Sequence, residues 1–146
     1  MVIMNNLIKL ALIVAVGYFG VQALGGGGGE MPKSTQGLVA RAKTKHRKLV
    51  ILMTGADWCG ACKAMENGML NTPEWQGFAE KEVVFEKFDY PNGGEATTRA
   101  HEELKHLPGF QGYPTMLVVN GNGKILDMRV GFSGGPGEYI SWIKSL

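Results

Sequence analysis

The feature that most constrains this chain is a pair of cysteines, Cys59 and Cys62, placed where an apolar strand gives way to a helix. The run Leu49–Met53 (LVILM) is continuously apolar, as expected for a strand that is covered on both faces. The chain holds no other cysteine. A disulfide that closes so short a loop adds little stability, because stabilisation by loop closure grows with loop length. The pair is therefore better explained by chemistry than by architecture.

The predicted helix start gives Cys59 a favourable setting for a reactive thiol. Free backbone N–H groups and the helix dipole stabilise a thiolate at this position. A thiol with a pKa of about 8.5 is only about 3% ionised at pH 7, and a pKa of about 7 makes it half ionised. Cys59 is thus predicted to be the nucleophile, and Cys62, one turn further on, the more buried residue that resolves a mixed disulfide. The spacing alone would also fit half of a zinc site, a structural disulfide or chance.

Residues 1–24 are predicted to be an N-terminal apolar helix that serves as a signal peptide or a membrane anchor. Leu10–Leu24 is an uncharged apolar run of about fifteen residues that follows Lys9, as in a secretory signal. Small residues at Val21 and Ala23 suit cleavage after Ala23, whereas a retained anchor needs about twenty apolar residues and would include the flanking ones. We slightly favour the anchor. Either outcome predicts an exported protein that is periplasmic or otherwise extracytoplasmic, and membrane-anchored or secreted.

Residues 25–33 are predicted to be a glycine-rich linker, and residues 34–146 a single domain. Gly25–Gly29 would act as a flexible tether with a reach of roughly 12 Å. The formal net charge of the chain is only +2, which implies no strong polyanionic partner. The basic run Arg41–Lys48 is better explained as a solvated helix face than as a contact for nucleic acid or anionic lipid. We therefore expect no nucleic-acid partner.

The domain pattern alternates between helices and strands. The predicted helices are Thr35–His46, Cys59–Asn67, one that starts within Asn71–Glu74, Ala96–Leu107 and Gly137–Leu146. The predicted strands are Leu49–Met53, Val83–Tyr90, Thr115–Val119 and Lys124–Val130. A strand–helix–strand crossover followed by a hairpin predicts an α/β domain with a mixed central sheet and helices on both faces.

The cysteine segment resembles the active site of the thioredoxin superfamily. Ala56–Lys63 (ADWCGACK) is similar to the C-terminal thioredoxin-like domain of the bacterial electron transporter DsbD and to small exported thioredoxin-like proteins of bacteria. The likeness continues through Leu104–His106 and Gly112–Thr115 (GYPT) to Gly131–Phe132, and so covers roughly residues 49–146. The resemblance implies a thioredoxin fold.

The resemblance also implies a substrate-binding region. It places a cis peptide bond before Pro114, beside the dithiol, which would leave the backbone of Tyr113 free to pair with an extended substrate strand. Trp58 and Tyr113 would form an apolar rim for that substrate. Partial packing into the domain is the alternative explanation for both aromatic residues.

One departure from the superfamily pattern concerns the proton acceptor. Thioredoxins carry a buried aspartate six residues before the first cysteine, and Met53, which cannot titrate, stands here. Glu66 lies four residues after Cys62, on the same helix face, and matches a glutamate in the DsbD domain. Glu66 is therefore a candidate proton acceptor for Cys62. An ordinary solvated helix glutamate is the alternative explanation.

The resemblance implies a thiol-disulfide oxidoreductase that exchanges disulfides with client proteins and is recharged by an upstream thiol electron donor. Asp57, two residues before Cys59, would raise the thiol pKa and so favour a reductant, although an exposed loop acid is the alternative explanation. The superfamily needs no cofactor, and His101 and His106 lie on different helix faces, so no metal is expected. A disulfide oxidase or isomerase and a non-catalytic thioredoxin-fold binding module stay open as alternatives.

Overall fold

The structure, a computed structural model, describes residues 29–146. The segment 1–24, predicted to be a signal or anchor, and residues 25–28 lie outside the described residues. Within 29–146, no helix combines the length and the apolarity that crossing a bilayer requires.

Four strands form one mixed sheet in the spatial order β2-β1-β3-β4. The strands are β1 Lys48–Thr54, β2 Val83–Asp89, β3 Thr115–Val119 and β4 Ile125–Val130. β1 pairs in parallel with β2 and antiparallel with β3, and β3 pairs antiparallel with β4. The predicted mixed sheet is confirmed, and its central strands are apolar on both sides because helices cover both faces.

Within residues 29–146, five α-helices connect and cover the strands. They are α1 Gln36–Thr44, α2 Gly60–Met65, α3 Pro73–Lys81, α4 Gly94–Leu104 and α5 Pro136–Ser145. The start of α3 follows the predicted capping pattern: the Thr72 hydroxyl accepts a hydrogen bond from the Trp75 N–H, and Pro73 occupies the first turn.

The two faces of the sheet bury separate apolar clusters. One face packs against α1 and α4, and its cluster includes Leu49, Ile51, Met53, Leu117 and Leu104. The other packs against α2, α3 and α5, and its cluster includes Val50, Leu52, Met116, Trp75 and Trp142. Alternate residues of β1 point to opposite clusters, as the two-residue period of a strand requires. The strand that leads to Cys59 is therefore fixed from both sides.

The helix that contains Cys62 ends differently from the prediction of one α-helix over Cys59–Asn67. It is α-helical only over α2 and continues as one wider π-type turn, Glu66–Leu70, in which the Asn71 N–H donates to the Glu66 carbonyl at 2.9 Å. The extra residue in this turn lets the adjacent Met69 and Leu70 both reach the same apolar cluster.

The described part of the segment 25–33, which is predicted to be a linker, packs against the domain at Glu30 and Met31. Met31 is only 4% exposed and belongs to the apolar cluster beneath α1. Its N–H donates to the Gly123 carbonyl at 3.3 Å, and the backbones of Glu30 and Lys124 pair in an isolated antiparallel β-bridge. The chain thus enters the domain beside the β3–β4 hairpin, at the end of the sheet where β1 begins.

Candidate active site

The two cysteines lie where the sheet delivers the chain to α2, beyond the carboxyl end of β1. Cys59 is the N-cap of α2, with extended backbone angles, and its Sγ accepts a hydrogen bond from the Cys62 N–H at 3.2 Å. A backbone N–H at a helix start is a donor without an intrahelical partner, so it is free to bind the sulfur. This contact is the geometry by which a helix start stabilises a negative charge on sulfur.

Cys59 and Cys62 are joined as a disulfide, with their Cα atoms 5.2 Å apart. The site is therefore in its oxidised form. Cys62 is only 1% exposed, whereas Cys59 is partly open to solvent. An incoming group in solution reaches only the Cys59 sulfur.

The loop before β3 lies directly against the exposed sulfur. The Tyr113–Pro114 peptide bond is cis, and the Tyr113 carbonyl oxygen lies 3.7 Å from the Cys59 Sγ. The Pro114 carbonyl accepts a hydrogen bond from the Gly131 N–H at 2.7 Å, at the end of β4. The loop is thus fixed on both sides, to β3 by the chain and to β4 by this bond.

Trp58 forms a wall beside the disulfide. Its side chain is 54% exposed, and its ring meets the Tyr113 ring edge-on with centroids 5.2 Å apart. Its Nε1–H donates to the Tyr90 carbonyl at 3.0 Å. A Cβ at Gly55 would clash with the indole of Trp58, so glycine is required there for the ring to fold back in this position.

Glu66 makes an ion pair beside the active-site helix rather than extending freely into water. Its carboxylate accepts from the Lys87 Nζ at 3.0 Å and 3.2 Å, and both side chains are only partly exposed. Lys87 lies on β2, opposite Leu52 of β1. The fully buried Met53 occupies the position where the superfamily has an aspartate, so no carboxylate stands there.

Sequence patterns assign no role to His101, yet the structure places it beside the active site. It is 2% exposed and lies between the Tyr90 and Tyr113 rings, with centroids 5.0 Å and 5.2 Å from its own. Its Nε2 is 3.3 Å from the Phe88 carbonyl, and its Nδ1 is 3.1 Å from the Tyr113 hydroxyl. The available signal was its spacing of three from Leu104, on the buried face of α4.

His101 also gives a pH-dependent stability. Burial lowers its pKa, and this outweighs the Phe88 carbonyl, Glu102 and Asp89, which raise it; Lys105 lowers it further. Between the lowered pKa and the unfolded value of about 6.5, the unfolded chain binds more protons than the folded one. Stability is therefore highest above pH 6.5 and falls as the pH drops through this window.

We expect urea unfolding to show this loss between pH 7.5 and pH 5 in the wild type and a flatter dependence in His101→Gln, because glutamine stays neutral. The matched control is His106→Gln, the same substitution at an exposed position just beyond α4. Equal pH slopes in the wild type and His101→Gln would contradict the assignment.

Within residues 29–146, no three histidine, cysteine, aspartate or glutamate side chains come close enough together to hold a metal ion.

Asp57, the acid nearest to Cys59 in sequence, is exposed and accepts a hydrogen bond from the Asn92 side-chain amide at 2.7 Å.

Comparison with known proteins finds the same architecture elsewhere. Residues 36–146 match a family model described as a thioredoxin-like domain. A curated relative, the disulfide bond reductase DsbH of Chlamydia pneumoniae, is 31% identical over 108 residues, which are 71% of this chain and 64% of that protein. The chain therefore spans a little under two thirds of that relative's length.

Two solved structures superpose well. A structure titled DsbH oxidoreductase is 25% identical, with 82% of this chain and 85% of that chain covered and a TM-score of 0.66. The C-terminal domain of Neisseria meningitidis DsbD in its oxidised form is 24% identical, with 77% and 92% covered and a TM-score of 0.57, which is a likeness of fold.

Proposed function

The chain belongs to the thioredoxin-like family, and on that premise we propose that it is a thiol-disulfide oxidoreductase that exchanges disulfides with client proteins through Cys59 and Cys62. The observation that carries the proposal is the disulfide at the start of α2, with one sulfur open to solvent and the other buried. A structural bridge across three residues would add little stability.

The reaction proceeds in two exchanges. In the reduced protein, the Cys59 thiolate attacks one sulfur of a client disulfide; a mixed disulfide forms and the other client sulfur leaves as a thiolate. The Cys62 thiolate then attacks the Cys59 sulfur, which forms the Cys59–Cys62 disulfide and releases the second client sulfur. Two electrons pass to the client, and the two thiolates released from it take up protons.

The unequal exposure of the two sulfurs supports this order of events. A client sulfur can approach Cys59, which also accepts the Cys62 N–H, whereas Cys62 is reached only from within the protein. Cys59 is therefore the nucleophile and Cys62 the resolving residue. The oxidised form is the product of client reduction, so each cycle requires an upstream thiol donor.

The proposed client-binding surface is the loop beside Cys59. An extended client segment would pair with the backbone of Tyr113, next to the cis bond to Pro114, and its side chains would pack on the exposed Trp58 ring. The Tyr113 carbonyl lies close to the reacting sulfur. A client held there presents its disulfide to Cys59.

We propose that the protein acts as a reductant. The support is the curated relative at 31% identity, which is named a disulfide bond reductase. We expect a reduction potential near that of thioredoxin, about −270 mV, rather than that of the oxidant DsbA, about −120 mV. Equilibration with thiol buffers of set potential, read by mass spectrometry after alkylation, measures it. A value near −120 mV would contradict the direction and favour an oxidase.

The proposed site of action lies outside the cytoplasm, with the protein anchored or secreted. The support is the apolar run Leu10–Leu24 after Lys9, which matches an export signal or anchor. In that setting, a membrane thiol transporter is the kind of donor that could return electrons to Cys59 and Cys62.

Glu66 is the proposed proton acceptor for Cys62. Cys62 must lose its proton before it can attack the mixed disulfide, and the fully buried Met53 has no group that can accept it. Glu66 lies one helical turn after Cys62 and is held by Lys87 through a 3.0 Å ion pair. A carboxylate in this place can accept the proton directly or through a water.

We expect Glu66→Gln to slow release of the mixed disulfide by about tenfold or more at pH 7 and to move the rate profile to higher pH, since general-base catalysis contributes typically 10²–10⁴-fold. Stopped-flow release of a chromophoric thiol across pH 5–9 measures this. The matched control is Glu82→Gln, which removes a glutamate paired with Lys144 at 3.0 Å, far from the disulfide. Identical profiles for the two variants would overturn the role.

A further inference from the structure

The His101 ring has contacts on both of its faces and at both of its nitrogens. Two tyrosine rings cover its faces, and both ring nitrogens have a polar neighbour. The Phe88 carbonyl can only accept, so Nε2 carries the hydrogen that reaches it. In the neutral ring, Nδ1 then has a free lone pair and accepts from the Tyr113 hydroxyl. The arrangement fixes one tautomer and one ring orientation.

We propose that His101 is a positioning residue for disulfide exchange: through the Tyr113 hydroxyl it holds the Tyr113–Pro114 segment at the distance from Cys59 at which a client backbone can pair with it. This inference rests on the proposed function and names a residue that acts on client binding without touching the client.

The contacts form a continuous path from the sheet to the reacting sulfur. Phe88 lies on β2 and is paired with Met53 of β1, so its carbonyl is fixed by the central sheet. His101 carries that fixed position to the Tyr113 hydroxyl, and the other end of Tyr113, its carbonyl, lies 3.7 Å from the Cys59 Sγ. The Tyr113 residue is thus held at both ends, by the imidazole and by the chain.

Loss of this link should loosen the client-binding backbone without altering the chemistry at sulfur. No atom of His101 or of the Tyr113 ring is a partner of Cys59, which contacts the Tyr113 carbonyl and the Cys62 N–H. We therefore expect weaker client binding at an unchanged maximal rate. If His101 had only a structural role, its loss would lower the stability of the fold and would not weaken client binding selectively.

The test compares Tyr113→Phe with Tyr90→Phe. Each removes one phenolic hydroxyl and keeps a ring stacked on the same imidazole, but only the Tyr113 hydroxyl bonds to Nδ1. The reduced full-length protein is mixed with two probes that release the same chromophore: dithiobis(nitrobenzoate), and an extended decapeptide whose cysteine is disulfide-bonded to thionitrobenzoate. Single-turnover rates against probe concentration give the half-saturating concentration and the maximal rate.

We expect Tyr113→Phe to raise the half-saturating concentration of the peptide by about three- to tenfold, the effect of one hydrogen bond. The loss should be larger with the peptide than with the small probe and should fall on the half-saturating concentration rather than on the maximal rate, and Tyr90→Phe should behave as the wild type. An unchanged peptide response, or an equal loss with both probes, overturns the positioning role while the proposed function stands. A wild type that reduces neither probe overturns the proposed function and this inference together.

Variants of His101 provide the second test. Glutamine can donate to the Phe88 carbonyl and accept from Tyr113, so His101→Gln should retain most of the peptide affinity. His101→Leu should lose as much as Tyr113→Phe, and the double variant no more than either, because both remove the same link. Multiplied losses in the double variant would contradict the inference. If His101→Leu does not fold, the comparison of Tyr113→Phe with Tyr90→Phe decides alone.

Discussion

Cys62→Ser is expected to convert a transient mixed disulfide into a stable covalent complex with the client and to reduce turnover to the background rate. The buried Cys62 sulfur is the group placed to attack the Cys59–client bond from within the protein. A serine hydroxyl is not ionised at neutral pH and cannot attack it. Non-reducing electrophoresis after incubation with a disulfide-bonded client should show a new band at the combined mass of the protein and the client. The band should disappear on treatment with a reducing agent.

Cys59→Ser is the matched control. It removes the same disulfide, so the two variants share whatever stability that bond supplies. It leaves only the buried sulfur, and we expect no complex and no turnover. Equal capture by both variants would show that position 59 is not the nucleophile. No capture by Cys62→Ser would favour a non-catalytic binding module with the same fold.

Trp75→Ala is expected to lower the free energy of unfolding by about 3–5 kcal/mol, the usual cost of removing a buried aromatic side chain. Trp75 is 2% exposed and packs against Phe78 and Phe85, with ring centroids 5.7 Å and 5.4 Å away. It begins the packing of α3 on the sheet, so its loss leaves a cavity in the cluster behind β1. Urea unfolding of the oxidised protein, followed by far-ultraviolet circular dichroism, gives the difference.

The exposed tryptophan provides the comparison for this stability effect. Trp58→Ala makes the same substitution where more than half of the side chain already lies in water. We expect it to cost less than about 1 kcal/mol of stability, and to weaken binding of the peptide probe because the rim beside Cys59 is lost. Similar stability losses at both positions would contradict the assignment of Trp75 to the core and Trp58 to the site.

The sheet could be predicted from the sequence because its signals are local. A short, continuous apolar run such as LVILM favours a strand with cover on both faces, and β1 extends over Lys48–Thr54. The hairpin turn at Asn120–Gly123 fixed the pairing of β3 with β4 in the same way. The aromatic residues Trp75, Phe78 and Trp142 of the helices are buried against this sheet.

The remaining features depend on contacts between distant residues, and no local pattern contains them. A 3.6-residue period cannot indicate the π-type turn at Glu66–Leu70, since it arises from burial of two consecutive side chains. A glycine-rich stretch gives no sign that Met31 packs beneath α1. The place of His101 between Tyr90 and Tyr113 results from the packing of α4 on the sheet, which no local pattern indicates.

The place where the chain enters the domain has a consequence for access to the reactive sulfur. Met31 and the β3–β4 hairpin lie at the end of the sheet where β1 begins, and the disulfide follows the other end of that strand. The seven residues of β1 separate the two ends of the sheet by roughly 20 Å. A domain secured through its N-terminal side would therefore turn Cys59 outward, away from the point of attachment and toward freely diffusing clients.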